Sequence, residues 1–234
     1  MHVASVANGA WNGLPYPASK SPRFAHTIAV HEGDPGKYFA FVGHKEGFFW
    51  VDLSGLANST PTMALLGDEY LYGNPAIPDE DEVVNVAAIV ASGDRLFVYA
   101  DTSPKEIRLY PFDPSTGAVD TSNPATYLTS TPPSAGGVLP FSPGRAFRAR
   151  FYEDPNGTNG SGHLLLACES GSVFKLAWPG PGGEDTLGVA DVWNSDYSYV
   201  MQDCRVFDFN APNTPPDLKI LGAKDSEGFA VINF

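Results

Sequence analysis

The sequence is short of basic residues, of cysteine and of long apolar runs, and each shortage excludes a class of protein. Lys and Arg number 14 against 27 Asp and Glu, so the formal net charge is −13. Such an acidic chain lacks the basic face that a phosphate backbone or an anionic membrane surface requires, and we expect neither partner. No apolar stretch approaches the roughly 18 residues that a membrane-spanning helix needs.

Cysteine is scarce as well. Cys168 and Cys204 are the only two, too few for a disulfide scaffold, and they lack the spacing of a metal site. The sequence leaves open whether they pair. The catalytic motifs G-x-S-x-G and H-E-x-x-H are absent, as are the P-loop and G-x-G-x-x-G patterns that bind phosphates. We therefore expect no metal and no cofactor.

The residues that are plentiful favour one all-β domain. Of the 234 residues, 43% are hydrophobic and 18% charged, and 24 Gly with 21 Pro suit many short strands joined by turns. The first 20 residues show no signal peptide, so either the protein is intracellular or a signal has been removed. Asn58, Asn156 and Asn159 each begin a glycosylation acceptor triplet, which favours an extracellular glycoprotein.

One pattern recurs four times along the chain. Each copy has an apolar strand, a short polar tip and a second strand rich in aromatic and branched residues. The copies begin at Tyr38 (YFAFVGHKEGFFWVDLSG), Arg95 (RLFVYADTSPKEIRLYPFDPSTG), His163 (HLLLACESGSVFKLAWPGPGG) and Leu218 (LKILGAKDSEGFAVINF). Repeats of this size with several strands each predict the blades of a β-propeller.

Further strand-like segments complete the repeats. One precedes every hairpin, and a fourth follows each of the first three hairpins but not the last. The N-terminal segment 2–7 can supply the missing strand, which predicts a single four-bladed β-propeller domain over residues 1–234. A larger ring completed by another chain stays open. The predicted blades are 23–68, 83–130, 145–194, and 198–234 together with 2–7.

Two of the repeats resemble known propeller families. Residues 95–119, RLFVYADTSPKEIRLYPFDPSTGAV, resemble a blade of the gluconolactonase-like and strictosidine-synthase-like propellers, which favour a strand, A-D-T/S, a strand and D-P-x-T-G. The segment from Tyr38 looks like the short β-propeller repeats of bacterial surface proteins. Both resemblances imply the fold. Gluconolactonase-like enzymes also bind a divalent cation through carboxylate and amide side chains near the channel axis, and this sequence does not reproduce that pattern.

The first strand of each predicted blade carries a polar residue within an apolar pattern. Aligned on that pattern, the four strands share one position, which is occupied by His26, Asn85, Arg148 and Arg205. First strands line the central channel of a propeller, so we expect these side chains to converge on its axis. Alternation puts Arg150 on the face of Arg148, and it puts Asp203 on the face of Arg205, with which Asp203 could pair.

Arginines near one axis repel each other and cannot lose their protons, so each needs a carboxylate, water or an anionic ligand. Either Asp203 and water neutralise a structural plug, or the arginines bind a carboxylate, phenolate or enolate together with His26 or Asn85. Long aromatic-rich loops share one predicted rim, where they either form a ligand pocket or fold back on the blades. The rim residues assigned to the pocket are Tyr70, Tyr72, Trp193 and Tyr197.

Three functions stay open from the sequence. The first is the binding of a small oxygenated or anionic organic molecule or a sugar in the channel. The second is an enzyme on the same pocket, a cyclase, lyase or isomerase in which His26 moves a proton while Arg148 and Arg205 stabilise negative charge. The third is a protein-interaction scaffold, which predicts a large exposed apolar patch. Propellers host all three, so the fold does not choose among them.

Overall fold

The computed structural model of the chain describes most of its residues, in stretches separated by gaps. These are residues 2–7, 10–15, 27–44, 47–58, 62–71, 86–101, 105–129, 146–155, 157, 160–180, 187–194, 200–211, 216–224 and 228–234. They contain strands, turns and one 3-10 helical turn at Ser54–Ala57, and they contain no α-helix. None of these stretches therefore holds a helix long and apolar enough to span a membrane.

The strands in these stretches form an N-terminal hairpin and four antiparallel sheets, each sheet following chain order. The hairpin pairs β1 (His2–Ala7) with β2 (Ala10–Pro15). The first sheet contains β3 (Thr27–Glu32), β4 (Tyr38–His44), β5 (Gly47–Asp52) and β6 (Ala64–Tyr70). The second contains β7 (Val86–Ser92), β8 (Arg95–Ala100), β9 (Glu106–Pro111) and β10 (Ala125–Leu128). The third contains β11 (Ala146–Glu153), β12 (Gly162–Cys168), β13 (Ser172–Trp178) and β14 (Gly188–Asn194). The last contains β15 (Met201–Asp208), β16 (Leu218–Lys224) and β17 (Phe229–Asn233).

The chain divides into two compact units. Unit 1 comprises Met1–Thr102 and Arg108–Ala125, and unit 2 comprises Ser103–Ile107 and Thr126–Phe234. Each unit has a hydrophobic core of its own. The single domain over residues 1–234 stays a prediction.

The middle strands of the first sheet are buried on both faces because their apolar residues do not alternate with polar ones. Aromatic and β-branched residues fill β4 and β5, as is typical of strands covered on both sides. One face packs into the core of unit 1 around Phe41 and Phe48, together with residues of the second sheet. The opposite face holds a separate buried cluster around Phe49 and Val51. Both faces of this sheet therefore contribute to hydrophobic burial.

The core of unit 2 joins the third sheet to one face of the last sheet. Leu165 and Val173 of the third sheet pack with Cys204, Ile220 and Ile232 of the last. The side chains of the last sheet alternate between this core and the opposite face, because alternate residues of a strand point to opposite sides. The last sheet thus contributes a single face to the core of unit 2.

Phe234, the final residue of the chain, adds a second contact between these two sheets. Its ring centroid lies 4.8 Å from the ring of Tyr152 and 5.3 Å from that of His163, both edge-on. The Lys175 Nζ atom lies 4.6 Å from the same centroid, within the range of a cation–π contact. Burial lowers the pKa of His163, and the neighbouring Lys175 charge lowers it further. The imidazole is therefore more readily neutral than in water.

The N-terminal strand differs from its prediction. The segment 2–7 was expected to complete the last sheet, but it pairs with β2 along its whole length, from His2 opposite Pro15 to Ala7 opposite Ala10. The last sheet accordingly has three strands in the described part of the chain. Only Asn8 and Gly9 separate the two strands in sequence, and Asn-Gly is the dipeptide that most favours a two-residue hairpin. Pairing of β1 with β2 closes a short loop, so it costs less conformational entropy than pairing of β1 with the distant C-terminal hairpin.

Candidate functional site

Four of the polar residues predicted to line a channel lie on two strands of unit 2. Arg148 and Arg150 are on β11, and Asp203 and Arg205 are on β15. Both strands are the first, edge strands of their sheets, and they contact each other where the third and last sheets pack. His26 and Asn85 lie outside the described residues, so their convergence with these arginines stays a prediction. The enzyme hypothesis depends on His26 and stays a prediction for the same reason.

Of the four aromatic residues predicted for the pocket, the structure describes the surroundings of Trp193 alone. Tyr72 and Tyr197 lie outside the described residues, and for Tyr70 the structure gives only its place at the end of β6. Trp193 lies in β14, where it is half-buried and packs against the core of unit 2. For Trp193 this contact matches the alternative in which the aromatic residue folds back on its sheet.

The register of β11 and β15 corrects the alignment of their polar residues. Both strands open with a bulge, after which Arg148 pairs with Ala167 and Asp203 pairs with Ala223. These partners occupy the same place, each just before the tip of its hairpin, so Asp203 is the counterpart of Arg148. Arg205, which was aligned with Arg148, corresponds to Arg150 instead. A slip of two residues keeps every side chain on its face, so the apolar pattern alone did not distinguish the two registers.

An ion pair joins these strands. Arg150 Nη2 donates a hydrogen bond of 2.8 Å to Asp203 Oδ2, and each of the two side chains is 31% exposed. The other oxygen, Asp203 Oδ1, accepts a hydrogen bond of 2.8 Å from the backbone N–H of Cys204. Asp203 was predicted as a partner for Arg205, but Arg205 is exposed, where water screens the attraction between charges. Asp203 therefore neutralises Arg150 and ties the third sheet to the last.

The other two arginines of these strands differ in their exposure. Arg148 is half-buried, and its Nη1 donates to the backbone carbonyl of Phe147 at 3.0 Å. In the described part of the chain no ion pair involves Arg205. Besides Asp203 the two strands also carry Glu153 and Asp208, so their three arginines are matched in number by three carboxylates.

The two cysteines do not form a disulfide. Cys168 and Cys204 are both free and buried. Burial raises the pKa of both thiols, that of Cys204 to about 12, so neither is a reactive thiolate near neutral pH. Within the described stretches no group of three or more His, Cys, Asp or Glu side chains is placed to hold a metal ion.

The D-P-x-T-G segment that carries the family resemblance forms a self-contained turn. Asp113 Oδ2 accepts from Thr116 Oγ1 at 2.7 Å, and Asp113 Oδ1 accepts from Ser115 Oγ at 2.7 Å. These hydrogen bonds lower the pKa of Asp113 to about 2. Gly117 closes the turn with a φ of 77°, a conformation that favours glycine. The carboxylate of this motif is therefore engaged in the turn.

The last sheet exposes an apolar face. We call it the uncovered face. The strand registers place on it three rows of residues, namely Asp203, Ala223 and Phe229, then Arg205, Leu221 and Val231, then Phe207, Lys219 and Asn233. Phe207 is 45% exposed, Val231 53% and Phe229 68%. Large apolar side chains clustered on one surface are typical of interaction sites.

Sequence reasoning missed the uncovered face, although a signal for it is present. The first strand of the last copy alternates buried Ile220 with exposed Ala223 and half-buried Lys219, whereas the first strand of the first copy reads YFAFVGH without interruption. Alternation indicates a sheet with one buried face, and a continuous apolar run indicates burial on both. Comparing the four copies for this difference would have identified the last sheet as a sheet whose hairpin has one exposed face.

No family model matches the chain, and no curated protein matches its sequence. Among solved structures, the chain is similar to BBS1N, in a crystal structure of BBS1N in complex with ARL6DN that was soaked with mercury. The match has a TM-score of 0.51 at 13% sequence identity, and it covers 91% of this chain and 51% of the BBS1N chain. The chain thus spans about half the length of this neighbour.

A likeness at this identity bears on the fold and not on activity. It does not test the resemblance to gluconolactonase-like or strictosidine-synthase-like propellers, which stays a prediction. BBS1N is a β-propeller, and the four antiparallel sheets of this chain follow the same plan. The chain therefore has an all-β, β-propeller fold, as its four repeats predicted.

Proposed function

We propose that this chain is a protein-interaction scaffold on a β-propeller fold, which binds protein through the uncovered face of its last sheet. The observation that carries the proposal is the exposure of Phe207, Phe229 and Val231 on one sheet surface. Aromatic side chains at the centre of an apolar patch commonly supply most of the binding energy of an interface.

The charge of the same face favours a partner of defined chemistry. Arg205 lies beside these apolar residues and is exposed. A partner surface with apolar groups and a carboxylate opposite Arg205 would match both features. The structural neighbour BBS1N was crystallised with a protein, ARL6DN, which supports protein as the class of partner.

A photocrosslinking experiment tests the proposal. Benzoylphenylalanine replaces Phe229 in one variant and Tyr38, an exposed residue of the first sheet, in a matched control. We expect ultraviolet irradiation in native extract to give adducts from position 229 that position 38 does not give. The captured protein is then purified, and its affinity is measured for the wild type, Phe229→Asp and Val30→Asp.

We expect Phe229→Asp to weaken that binding by about tenfold or more and Val30→Asp to leave it unchanged, since Val30 is equally exposed but lies on the first sheet. A captured protein that binds Phe229→Asp as tightly as the wild type contradicts the proposal. So does the absence of any adduct specific to position 229.

A second candidate function is the binding of a small organic anion or sugar acid at β11 and β15. It is favoured by Arg148 and Arg150, which β11 presents on one face beside Asp203 of β15, because forked guanidinium donors suit carboxylate ligands. Isothermal titration with citrate and with glucuronate tests it. We expect Arg148→Ala to weaken binding about tenfold, whereas Arg95→Ala in the second sheet should have no effect. Equal affinities in the two variants rule the arginine cluster out.

A further inference from the structure

The outer edge of β17 is open in the described part of the chain, because the last sheet ends with this strand. Two backbone hydrogen bonds fix which of its residues face outward: Lys224 N donates to Gly228 O at 3.0 Å, and Phe234 N donates to Leu218 O at 3.3 Å. In an antiparallel pair, alternate residues bond to the same neighbour. Residues 228, 230, 232 and 234 therefore point their N–H and C=O groups to β16, and residues 229, 231 and 233 point theirs to the open edge.

This edge lacks the devices that normally prevent edge strands from pairing with other chains. Natural sheets protect their edges with charged side chains, proline, bulges or very short strands. The last strands of the other three sheets conform: β6 carries Asp68 and Glu69, β14 carries Asp191, and β10 has only 4 residues. The sequence of β17, FAVIN, holds no charge, no proline and no glycine. An unprotected edge of this kind is suited to receive another strand.

We infer that β17 pairs antiparallel with β17 of a second copy of this chain, across a two-fold axis at Val231. The inference names one partner for the last sheet and so rests on the proposed function in using that sheet for protein binding. In this register Val231 faces Val231 of the second copy, and Phe229 faces Asn233 of the second copy. Every outward residue then meets an outward residue, which gives about six backbone hydrogen bonds.

The side chains are compatible with this pairing. Phe229, Val231 and Asn233 are exposed and lie on one face of β17, so the uncovered faces of the two copies become one continuous surface. No charged residue of β17 is brought against its copy, since the strand has none. A different partner would need an uncharged edge strand of its own, whereas a second copy supplies one by symmetry. These features favour the second copy as the occupant of this edge.

The charge of the whole chain gives the dimer a distinctive salt dependence. Each copy carries a net charge of −13, so two copies repel each other over distances that salt screens. The proposed contact is made of backbone hydrogen bonds and apolar side chains, which salt does not weaken in this way. We therefore expect the dimer to become tighter as salt is added, the opposite of an interface held by ion pairs.

Sedimentation equilibrium of the purified chain tests the inference, from about 1 to about 100 µM protein and at low and high NaCl. We expect a monomer–dimer equilibrium for the wild type that shifts towards dimer at high salt. Val231→Lys places two cations against each other on the axis and should give monomer throughout. Val30→Lys, an equally exposed change on the first sheet, should dimerise like the wild type.

A second readout does not depend on the tolerance of Val231 for lysine. Val231→Cys should form a covalent dimer with an added mild oxidant faster than Val30→Cys, because residues paired on the axis have Cα atoms about 5.5 Å apart. The native thiols are buried and do not compete. A wild type that stays monomeric, or a Val231→Lys variant that still dimerises, overturns the inference. These results come from the purified chain alone, so they leave the crosslinking test of the proposed function independent.

Discussion

The first and last sheets each contain one copy of the repeated hairpin, yet the residues of the two copies are buried to different extents. In β4 every residue after Tyr38 is buried, whereas β16 and β17 alternate between buried and exposed or half-buried residues. A sheet that is buried on both faces needs apolar residues on both, and a sheet that is buried on one face needs them on that face alone. The last sheet nevertheless keeps Phe207, Phe229 and Val231 on its second face. Because they are exposed, those residues stabilise little within the chain, and they are the observation on which the proposed protein-binding role rests.

The largest difference between the two sheets should appear when one aromatic ring is removed from each. Phe41→Ala removes a fully buried ring from the first sheet and should cost about 3 to 5 kcal/mol of the free energy of unfolding. Phe229→Ala removes a ring that is 68% exposed and should cost about 0.5 kcal/mol or less. Urea unfolding of dilute protein measures both. Similar losses in the two variants would show that the last sheet is as fully covered as the first.

A smaller difference is expected at the two glycines that each lie against a large side chain. A Cβ at Gly67 of the first sheet would collide with the indole ring of Trp50, which is buried and rigid. A Cβ at Gly222 of the last sheet would lie 2.7 Å from Met201 Sδ, near the end of a flexible side chain that can shift. We expect Gly67→Ala to lower the free energy of unfolding, measured by urea unfolding, by about 1 to 3 kcal/mol. We expect Gly222→Ala to lower it by less. A larger loss at Gly222 would contradict the argument that Met201 moves aside more easily than Trp50.

The smallest effect concerns the contact of Phe234 with the third sheet. The pKa of His163 is lowered in the folded chain, so the unfolded chain binds the proton more readily. The neutral imidazole therefore contributes its full stabilisation at pH values above 6.5, the pKa of His163 in the unfolded chain. This stabilisation is lost as the pH falls towards the lower pKa of His163 in the folded chain. Because the ring is partly exposed, the loss should be below about 1 kcal/mol. Urea unfolding near pH 7.5 and pH 5.5 should show a smaller pH dependence in His163→Gln, and an unchanged dependence would remove His163 from this role.

The fold could be predicted from the sequence because the sequence repeats one hairpin unit four times. Four copies of one hairpin, each an apolar run followed by a polar tip, indicated four antiparallel sheets and a propeller. The pairing of the N-terminal strand was less accessible, since two competing partners existed for residues 2–7. The Asn8-Gly9 dipeptide favoured the nearby one.

The candidate site was harder to predict than the fold. The sequence grouped Arg148, Arg150, Asp203 and Arg205 because they lie on first strands, but it offered Arg205 as the partner of Asp203, since the pattern did not fix the register. A bulge before Arg148 and another before Asp203 set that register, and bulges leave little trace in an apolar pattern. The ion pair from Asp203 to Arg150 then depends on which arginine is shielded from water, which is a property of tertiary packing.

Amide hydrogen exchange along β17 tests most directly whether the last sheet is open on its outer side. In protein diluted to about 1 µM, the outward amides of Phe229, Val231 and Asn233 should exchange fast, while those of Ala230 and Ile232, which bond to β16, stay protected. Equal protection of both sets at this dilution would contradict an open edge, because it would require a strand of the same chain to cover β17.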